Sequence, residues 1–166
     1  MGKIKLIEIV RLAISIIVCQ LAGFVGSIFT TPAIPSWYAS LTKPSFTPPN
    51  WIFAPVWTTL FFLMGISAFL VWRRGLNHQP IRTALTIFIV QLILNTLWSI
   101  FFFGLRSPIL GFIVIAFLWI VVWLTILNFF KVSKIAGLLL IPYLLWVSFA
   151  AILNIAIWRL NPSTYP

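Results

Sequence analysis

The sequence has almost none of the side chains that carry acid, thiol or imidazole chemistry. Its 166 residues include one acid, Glu8, one cysteine, Cys19, and one histidine, His78. A single acid excludes paired-carboxylate catalysis and a carboxylate relay for protons inside a membrane. A single cysteine excludes an intrachain disulfide and cysteine-based metal sites, and no Ser-His-Asp or Cys-His group can be assembled. We therefore expect no metal site and no acid–base active site.

Apolar residues dominate what is present. They make up 62% of the chain against 7% charged residues, and the mean hydropathy is +1.14, which is typical of a membrane protein. The formal charge of +10 does not indicate nucleic-acid binding, because the basic residues are scattered singly or in pairs between apolar runs. We interpret them as anchors of helix ends at lipid headgroups.

Five uncharged apolar runs are each long enough to cross a bilayer. Backbone polar groups cannot be left unpaired in hydrocarbon, so these runs should be helical. We predict an all-α membrane protein that is one domain over residues 1–166: a bundle of five transmembrane helices with a long first loop that caps a pocket. The predicted helices cover approximately 6–29, 51–74, 81–105, 107–130 and 134–159, and the loop lid covers 30–50.

The basic residues divide unequally between the two ends of such a bundle. An excess of Lys and Arg marks the cytoplasmic side, so the division predicts a cytoplasmic amino terminus. A cleaved signal peptide is the alternative for the first run, but its length and the small residues at helix-packing spacing favour a retained helix. The amino-terminal side holds Lys3, Lys5, Arg11, Arg73, Arg74, Arg82, Lys131 and Lys134, and the other side holds Lys43, Arg106 and Arg159.

Polar and aromatic residues recur at helical spacing on three of the predicted helices. Residues three or four apart share a face, and three such faces that meet would line a pocket with flat aromatic walls and one amide. An indole N–H or a primary amide in mid-membrane needs a partner, so Asn95 is equally an interhelical bond or a ligand contact. The three sets are Trp57 with Phe61, Asn95 with Trp98, and Tyr143 with Trp146, Ala150 and Leu153.

Prolines shape two segments. Pro142 is expected to interrupt the fifth helix one turn before Trp146. In the stretch WYASLTKPSFTPPNWIFAPVW, from Trp37 to Trp57, the prolines remove backbone donors and restrict φ, which suits a stiff lid over an apolar cavity. A merely rigid spacer is the alternative.

Several segments in order along nearly the whole chain resemble the TspO/MBR family, which comprises tryptophan-rich sensory proteins and translocator proteins, once called peripheral benzodiazepine receptors. The matching segments are GFVGSIF in the first helix, WYASLTKPSFTPPNWIFAPVW, LNTLWSIFFFG from Leu94 to Gly104, and PYLLWVSFAAILN from Pro142 to Asn154 with IWRLNP after it. The pattern W-Y-x-x-L-x-K-P-x-x-x-P-P is the most specific part.

The resemblance implies a five-helix bundle, usually a homodimer, that binds protoporphyrin IX and related tetrapyrroles, sterols, and isoquinoline or benzodiazepine-type ligands. It implies no required cofactor and no nucleic-acid partner; the partners are a tetrapyrrole or lipid-like molecule and membrane lipids. It favours a bacterial-type member in the inner, cell membrane, since helical spans suit that membrane. Carried over, the ligand-binding residues are Tyr38, Pro48, Trp57, Phe61, Asn95, Trp98, Trp146, Ala150 and Leu153, to which the spacing argument adds Tyr143.

Three functions compete at this point. The leading hypothesis is a tetrapyrrole-binding membrane receptor or regulator. The second, from the resemblance, is light-dependent breakdown of protoporphyrin IX with Trp57 and Trp146 as the catalytic pair. The third is transport of a porphyrin or lipid, which lacks a visible ion-coupling site. Sterol is a weaker candidate ligand, because no Tyr lies between Leu153 and Arg159 where animal members have their sterol motif.

Overall fold

The computed structural model describes residues 2–162, with side chains from Leu6 onward. Met1 and residues 163–166, which the predicted domain includes, lie outside the described residues, as do the side chains of Lys3 and Lys5. Every regular element within 2–162 is a helix, and five helical spans are long and apolar enough to cross a membrane, which confirms the predicted all-α bundle. The α-helices are α1 (Gly2–Ala33), α2 (Asn50–Trp72), α3 (Gln79–Ser99), α4 (Pro108–Val132), α5 (Lys134–Leu139) and α6 (Ile141–Leu160).

Helices α1 and α3 each end in a π-helical turn. The first π turn is Ile34–Tyr38 and the second is Ile100–Gly104. Both lie at the end of the bundle that carries the α1–α2 connection, here called the loop end; the opposite end is the amino-terminal end. The two turns pack together, with the Trp37 ring edge-on to Phe102 at 5.5 Å between centroids. π turns are rare and concentrate at functional sites.

The predicted boundary between the first helix and the lid is wrong. Helix was expected to stop at residue 29 and the loop to fill 30–50, but the chain stays helical through residue 40, and only 41–49 lies outside helix. Polar residues do not end α1 because their hydroxyls bond the helix backbone: Thr30 donates to the Gly26 carbonyl at 3.1 Å and Ser36 to the Pro32 carbonyl at 2.7 Å. Pro35, which has no backbone N–H to donate, lies at the start of the first π turn, where the helix continues despite the missing hydrogen bond. The first helix also starts four residues earlier than predicted, at Gly2 rather than residue 6. The remaining boundaries agree within two residues when the second π turn is counted with α3 and α5 with α6.

Helix α1 packs on α2 and α3 through small residues. A Cβ on Gly65 of α2 would lie 2.6 Å from the Ile16 Cα atom, so the two backbones approach as closely as glycine allows. On α1 itself, Gly23 lies against the Phe61 ring and Gly26 against Ser99. The small residues at helix-packing spacing therefore serve both neighbours of α1.

The fifth span is interrupted where the sequence predicts. Helix α5 ends at Leu139, and α6 starts at Ile141 with Pro142 in its first turn, where a missing N–H costs little. The buried Ser67 hydroxyl of α2 donates to the Ala136 carbonyl at 2.7 Å and so fixes α5 against α2. The break sets the direction in which α6 presents Trp146.

Charged groups gather at the ends of the bundle. At the amino-terminal end Arg73 pairs with Glu8 at 2.7 Å, and Arg11 lies over the Trp72 ring at 5.8 Å. Arg74, Arg82, Lys131 and Lys134 lie at the same end by the positions of their helices, while Lys43, Arg106 and Arg159 lie at the loop end.

Gly65→Val should loosen the α1–α2 contact. The added side chain meets the α1 backbone at Ile16, which cannot rotate away, and overpacking of this kind costs about 1–3 kcal/mol. We expect a lower midpoint of thermal unfolding by far-UV circular dichroism in detergent. Phe62→Val, also on α2 but 46% exposed, is the control and should change the midpoint little. A Gly65→Val midpoint equal to that of the unmodified protein would contradict this packing.

Candidate ligand cavity

A cavity of about 390 Å³ lies between α1, α2, α3 and α6, toward the loop end. Eight of the ten predicted ligand-binding residues line it: Tyr38, Trp57, Phe61, Asn95, Trp98, Trp146, Ala150 and Leu153. All 25 residues that line the cavity are uncharged. The three helix faces predicted from residue spacing therefore meet around one space.

The cavity has a continuous aromatic wall. The Trp57 ring lies 5.7 Å from Phe61 and 6.1 Å from Trp98, and Trp98 stacks on Phe102 at 5.6 Å with 24° between planes. These are separations at which aromatic rings attract each other beyond simple burial. The wall is therefore held in place by its own ring contacts before any ligand arrives.

Two predicted site residues do not line the cavity. Tyr143 is fully enclosed one layer behind the wall, where its hydroxyl accepts a hydrogen bond from Asn95 Nδ2 at 2.9 Å. The three-residue spacing predicts that Tyr143 and Trp146 share one face of α6. In the structure the Tyr143 side chain is directed at Asn95 of α3, whereas Trp146 lines the cavity. Pro48 lies in the 41–49 connection and contributes no surface to the cavity wall.

Asn95 makes the interhelical bond that was one of its two predicted roles. Its Nδ2 donates across the bundle to Tyr143 of α6, and the same residue lines the cavity. A buried amide that is held by one interhelical bond presents its remaining polar atoms in a fixed direction. The cavity wall thus carries an oriented amide beside the aromatic rings.

Asn154 is a site residue that sequence reasoning missed. Its Oδ1 accepts from the Trp98 Nε1 atom at 3.3 Å, and its Nδ2 donates to the Pro108 carbonyl at the start of α4 at 2.8 Å. The signal was present, because a second mid-helix asparagine in an apolar run requires partners. The residue joins α3, α4 and α6 at the cavity wall and gives Trp98 the hydrogen-bond partner that the sequence required.

Trp146 differs from Trp98 in its hydrogen bonding. Within residues 6–162 its buried Nε1 atom has no hydrogen-bond partner, although its ring packs against Phe53 at 6.1 Å and Phe149 at 5.4 Å. A buried donor without an acceptor costs about 1–3 kcal/mol. Trp146 therefore presents ring surface to the cavity, while its N–H is covered by protein.

Helix α1 supplies the part of the wall that sequence reasoning did not anticipate. Apart from Phe24 and Ile34, its contribution is made of small and polar residues, which are not typical of an aromatic pocket. The recorded α1 residues are Gln20, Gly23, Phe24, Gly26, Ser27, Thr30 and Thr31, with Ile34 from the first π turn. One wall of the cavity is therefore aromatic and the opposite one is small and hydroxyl-rich.

A side-chain amide latches the 41–49 connection to the end of α6. Asn161 Oδ1 accepts from the Thr42 N–H at 2.9 Å, and Asn161 Nδ2 donates to the Thr42 carbonyl at 2.9 Å. Lys43, which the sequence suggested as a headgroup anchor, is half-buried and donates to the carbonyls of Ala39 and Leu41 while lying over the Tyr38 ring. The connection is thus a fixed cover at the loop end.

His78, the only histidine, lies between α2 and α3 at the amino-terminal end, so no imidazole reaches the cavity. Among the described residues no group of three or more His, Cys, Asp or Glu side chains could hold a metal ion. The cavity can bind a ligand by ring contacts, apolar burial and a few hydrogen bonds.

Comparison with known proteins identifies relatives over almost the full length. The sequence model of the TspO/MBR family matches residues 15–159. Tryptophan-rich protein TspO of Chlorobaculum tepidum is 46% identical over 155 residues, which cover 93% of this chain and 98% of that protein. The protein of the same name from Archaeoglobus fulgidus is 47% identical over 93% of this chain and 99% of its own, and the human translocator protein is 38% identical over 86% and 85%.

Asn161→Ala should free the 41–49 connection. The Thr42 N–H and carbonyl lose their partner, and a loss of about 1–2 kcal/mol corresponds to an increase of roughly tenfold in local opening. We expect faster hydrogen exchange of the segment containing Thr42, measured by mass spectrometry in nanodiscs. Asn161→Asp keeps the acceptor but loses the donor, so its exchange rate should lie between. Exchange at the rate of the unmodified protein in Asn161→Ala would show that the latch does not hold the connection.

Proposed function

Because the chain belongs to the TspO/MBR family of integral membrane proteins, we propose that it is a membrane receptor or regulator that binds a tetrapyrrole, protoporphyrin IX being the candidate. The observation that carries this proposal is the uncharged cavity walled by Trp57, Trp98 and Trp146. Cavities of this kind bind ligands through apolar contact, with a few polar groups that fix orientation.

The shape and chemistry of the wall favour a flat aromatic ligand. A macrocycle gains contact area and ring–ring attraction against Trp57, Trp98 and Phe102, which are already ordered. Pre-ordering lowers the entropy lost on binding, because these side chains have little freedom left to lose. Iron is not needed in this mode, which matches the lack of an imidazole in the wall.

The polar atoms of the cavity orient such a ligand. Asn95, whose amide is held by its bond to Tyr143, and the hydroxyl groups of α1 are polar groups that line the cavity. The uncharged wall offers no cation to ionised carboxylates, so the propionates of protoporphyrin IX would point out of the cavity toward the headgroup region. Isoquinoline and benzodiazepine-type molecules, which are flat and uncharged, fit the same chemistry. Sterols are less favoured, since they offer no flat π surface to the indoles.

The environment of the protein follows from its charge distribution. The amino-terminal end carries most of the basic residues, which supports an amino terminus in the cytoplasm and a cavity near the opposite face of the inner, cell membrane. A homodimer is the assembly that family membership favours.

Trp146→Phe should weaken protoporphyrin IX binding while leaving the aromatic wall in place. The change replaces the indole by a smaller single ring, and the loss of about 0.5–1.5 kcal/mol of ring contact corresponds to roughly a 2- to 10-fold rise in Kd. The measurement is equilibrium titration by tryptophan fluorescence quenching in detergent or nanodiscs.

Trp119→Phe is the matched control for this titration. Its indole lies on the outer face of α4, donates to Ser148 at 2.8 Å and does not line the cavity, so Kd should not change. Equal affinities for Trp146→Phe, Trp119→Phe and the unmodified protein would exclude the proposed contact. Unchanged affinity in an Asn95→Ala, Trp146→Ala double variant would overturn the assignment of the cavity as the binding site.

Light-dependent breakdown of protoporphyrin IX is a second candidate function. It is favoured by one observation, namely that the indoles of Trp57 and Trp146 line the same cavity. Indoles in contact with a light-excited macrocycle can donate an electron to it, and the wall offers no acid–base group for another route.

Replacing both indoles with phenylalanine should abolish such photochemistry. Trp57→Phe, Trp146→Phe keeps aromatic walls and removes the two indoles assigned as electron donors. Under illumination with bound protoporphyrin IX, we expect loss of the porphyrin absorbance to slow to the rate seen without protein. The Trp119→Phe variant serves as the control. Breakdown at an undiminished rate in the double variant, with binding retained, would rule out these two residues as donors.

A further inference from the structure

Helices α1 and α2 are in close contact only over part of their length. Toward the amino-terminal end Ile16 packs on Gly65, and at mid-height Gln20 Nε2 donates to the Thr58 carbonyl at 3.0 Å. Nearer the loop end the close contacts of α1 are with α3 and its π turn, as Gly26 lies against Ser99 and Phe29 against Gly104. Helix α1 therefore stays in close contact with α3, and it diverges from α2 above Gly23, which still packs on the Phe61 ring.

The cavity reaches the outer surface where the two helices diverge. On α1 the residues at the edge follow a spacing of three and four, and on α2 they follow a spacing of four, so each set forms one stripe facing the other helix. All of them line the cavity and are also exposed on the outside, which places an opening between the stripes. This opening, the lateral slot, is formed by Phe24, Ser27, Thr31, Asn50, Ala54 and Thr58.

The lateral slot faces the hydrocarbon and runs up to the interface. The eight steps from Asn50 to Thr58 rise about 12 Å along a helix, so the slot is of that order in length. Its hydroxyls are tolerated by lipid because they donate to their own helix: Ser27 to the Phe24 carbonyl at 2.7 Å and Thr58 to the Ala54 carbonyl at 2.9 Å. Apart from Phe24, the edges carry small or medium side chains.

Unlike the lateral slot, the loop end of the cavity is closed. None of residues 41–49 is recorded in the cavity wall, and Tyr38 and Leu41 beneath the connection are 4% and 5% exposed. The Asn161 latch holds this cover by two hydrogen bonds to Thr42. Passage from water would have to break the latch and separate packed rings, whereas passage from the bilayer meets only the edges of the slot.

We propose that ligands pass between the cavity and the bilayer through the lateral slot, and that Phe24 is the side chain that gates it. The class of molecule is a flat amphipathic compound dissolved in the leaflet at the loop end. Its ring plane can slide between the small edges while its charged groups stay at headgroup level near Asn50, the first residue of α2. The identity of the probe ligand rests on the proposed function.

Widening and plugging the slot should change rates in opposite directions. Phe24 is 63% exposed, so Phe24→Ala removes a gate with little loss of buried area and should speed both association and dissociation about tenfold. Ser27→Trp adds bulk at the edge and should slow both about tenfold. Ile28, 55% exposed and outside the cavity wall, gives the matched controls Ile28→Ala and Ile28→Trp, which should stay within twofold.

The measurement uses the full chain in phosphatidylcholine vesicles and protoporphyrin IX as the probe. Stopped-flow quenching of tryptophan fluorescence should give association rates that follow the porphyrin-to-lipid ratio rather than the total aqueous concentration. Asn161→Ala, which frees the cover at the loop end, should leave both rates within twofold. Rates that respond to Asn161→Ala and ignore Phe24→Ala and Ser27→Trp would overturn the slot.

A separate readout keeps the slot testable if the unmodified protein binds no porphyrin, a result that would contradict the proposed function alone. Phosphatidylcholine with a photoactivatable diazirine in its acyl chain should then crosslink to the peptides that contain Trp57 or Trp146 as well as to lipid-facing Phe117, 60% exposed on α4. Ser27→Trp should remove the cavity crosslinks and spare Phe117. Crosslinks confined to Phe117 and the rest of the outer surface would contradict a slot open to lipid.

Discussion

The structure depends on one constraint: a polar group that crosses hydrocarbon must find a partner within the protein. This constraint makes the five apolar runs helical, and it also explains why α1 continues past Thr30 and Ser36. Their hydroxyls bond carbonyls of their own helix, so they do not need water and do not end the span. Even the two π turns at the loop end keep the backbone paired while changing the direction of the helix.

The same constraint joins the architecture of the bundle to its cavity. A side-chain amide at mid-membrane gains stability by bonding across helices, and two do so at the cavity wall: Asn95 to Tyr143, and Asn154 to both Trp98 and the start of α4. The bonds that hold the helices together thus also fix the direction of the rings that face the cavity. Within residues 6–162 two buried groups lack a hydrogen-bond partner: the Nε1 atom of Trp146 at the cavity wall, and both amide atoms of Gln91 on α3, which does not line the cavity.

Prediction from sequence succeeded where a residue pattern maps directly onto geometry. Run length gave five spans, and spacing brought Trp57, Asn95 and Trp146 to one cavity. Spacing does not give the rotation of a helix about its axis: Tyr143 has helical spacing to Trp146, but its side chain is directed at α3. Sequence also does not show local hydrogen bonds, so the predicted lid begins at residue 30, where polar side chains resemble the end of a helix. The contribution of α1 was missed because Gly23, Gly26 and Ser27 resemble packing residues. They pack on the neighbouring helices and border the cavity at once.

The small residues of α1 have a consequence for motion. Helix α1 is the least enclosed span, with 17% of its most apolar window buried against 33–44% in the others. Local opening takes less free energy where fewer buried contacts must be broken. Above Gly23, which packs on Phe61 of α2, the close contacts of α1 are with α3, so a small outward tilt of α1 widens the lateral slot without disturbing the amide bonds between α3, α4 and α6. The aromatic wall can therefore stay ordered while the α1 wall moves. The aromatic wall would hold a ligand, and the α1 wall would admit it.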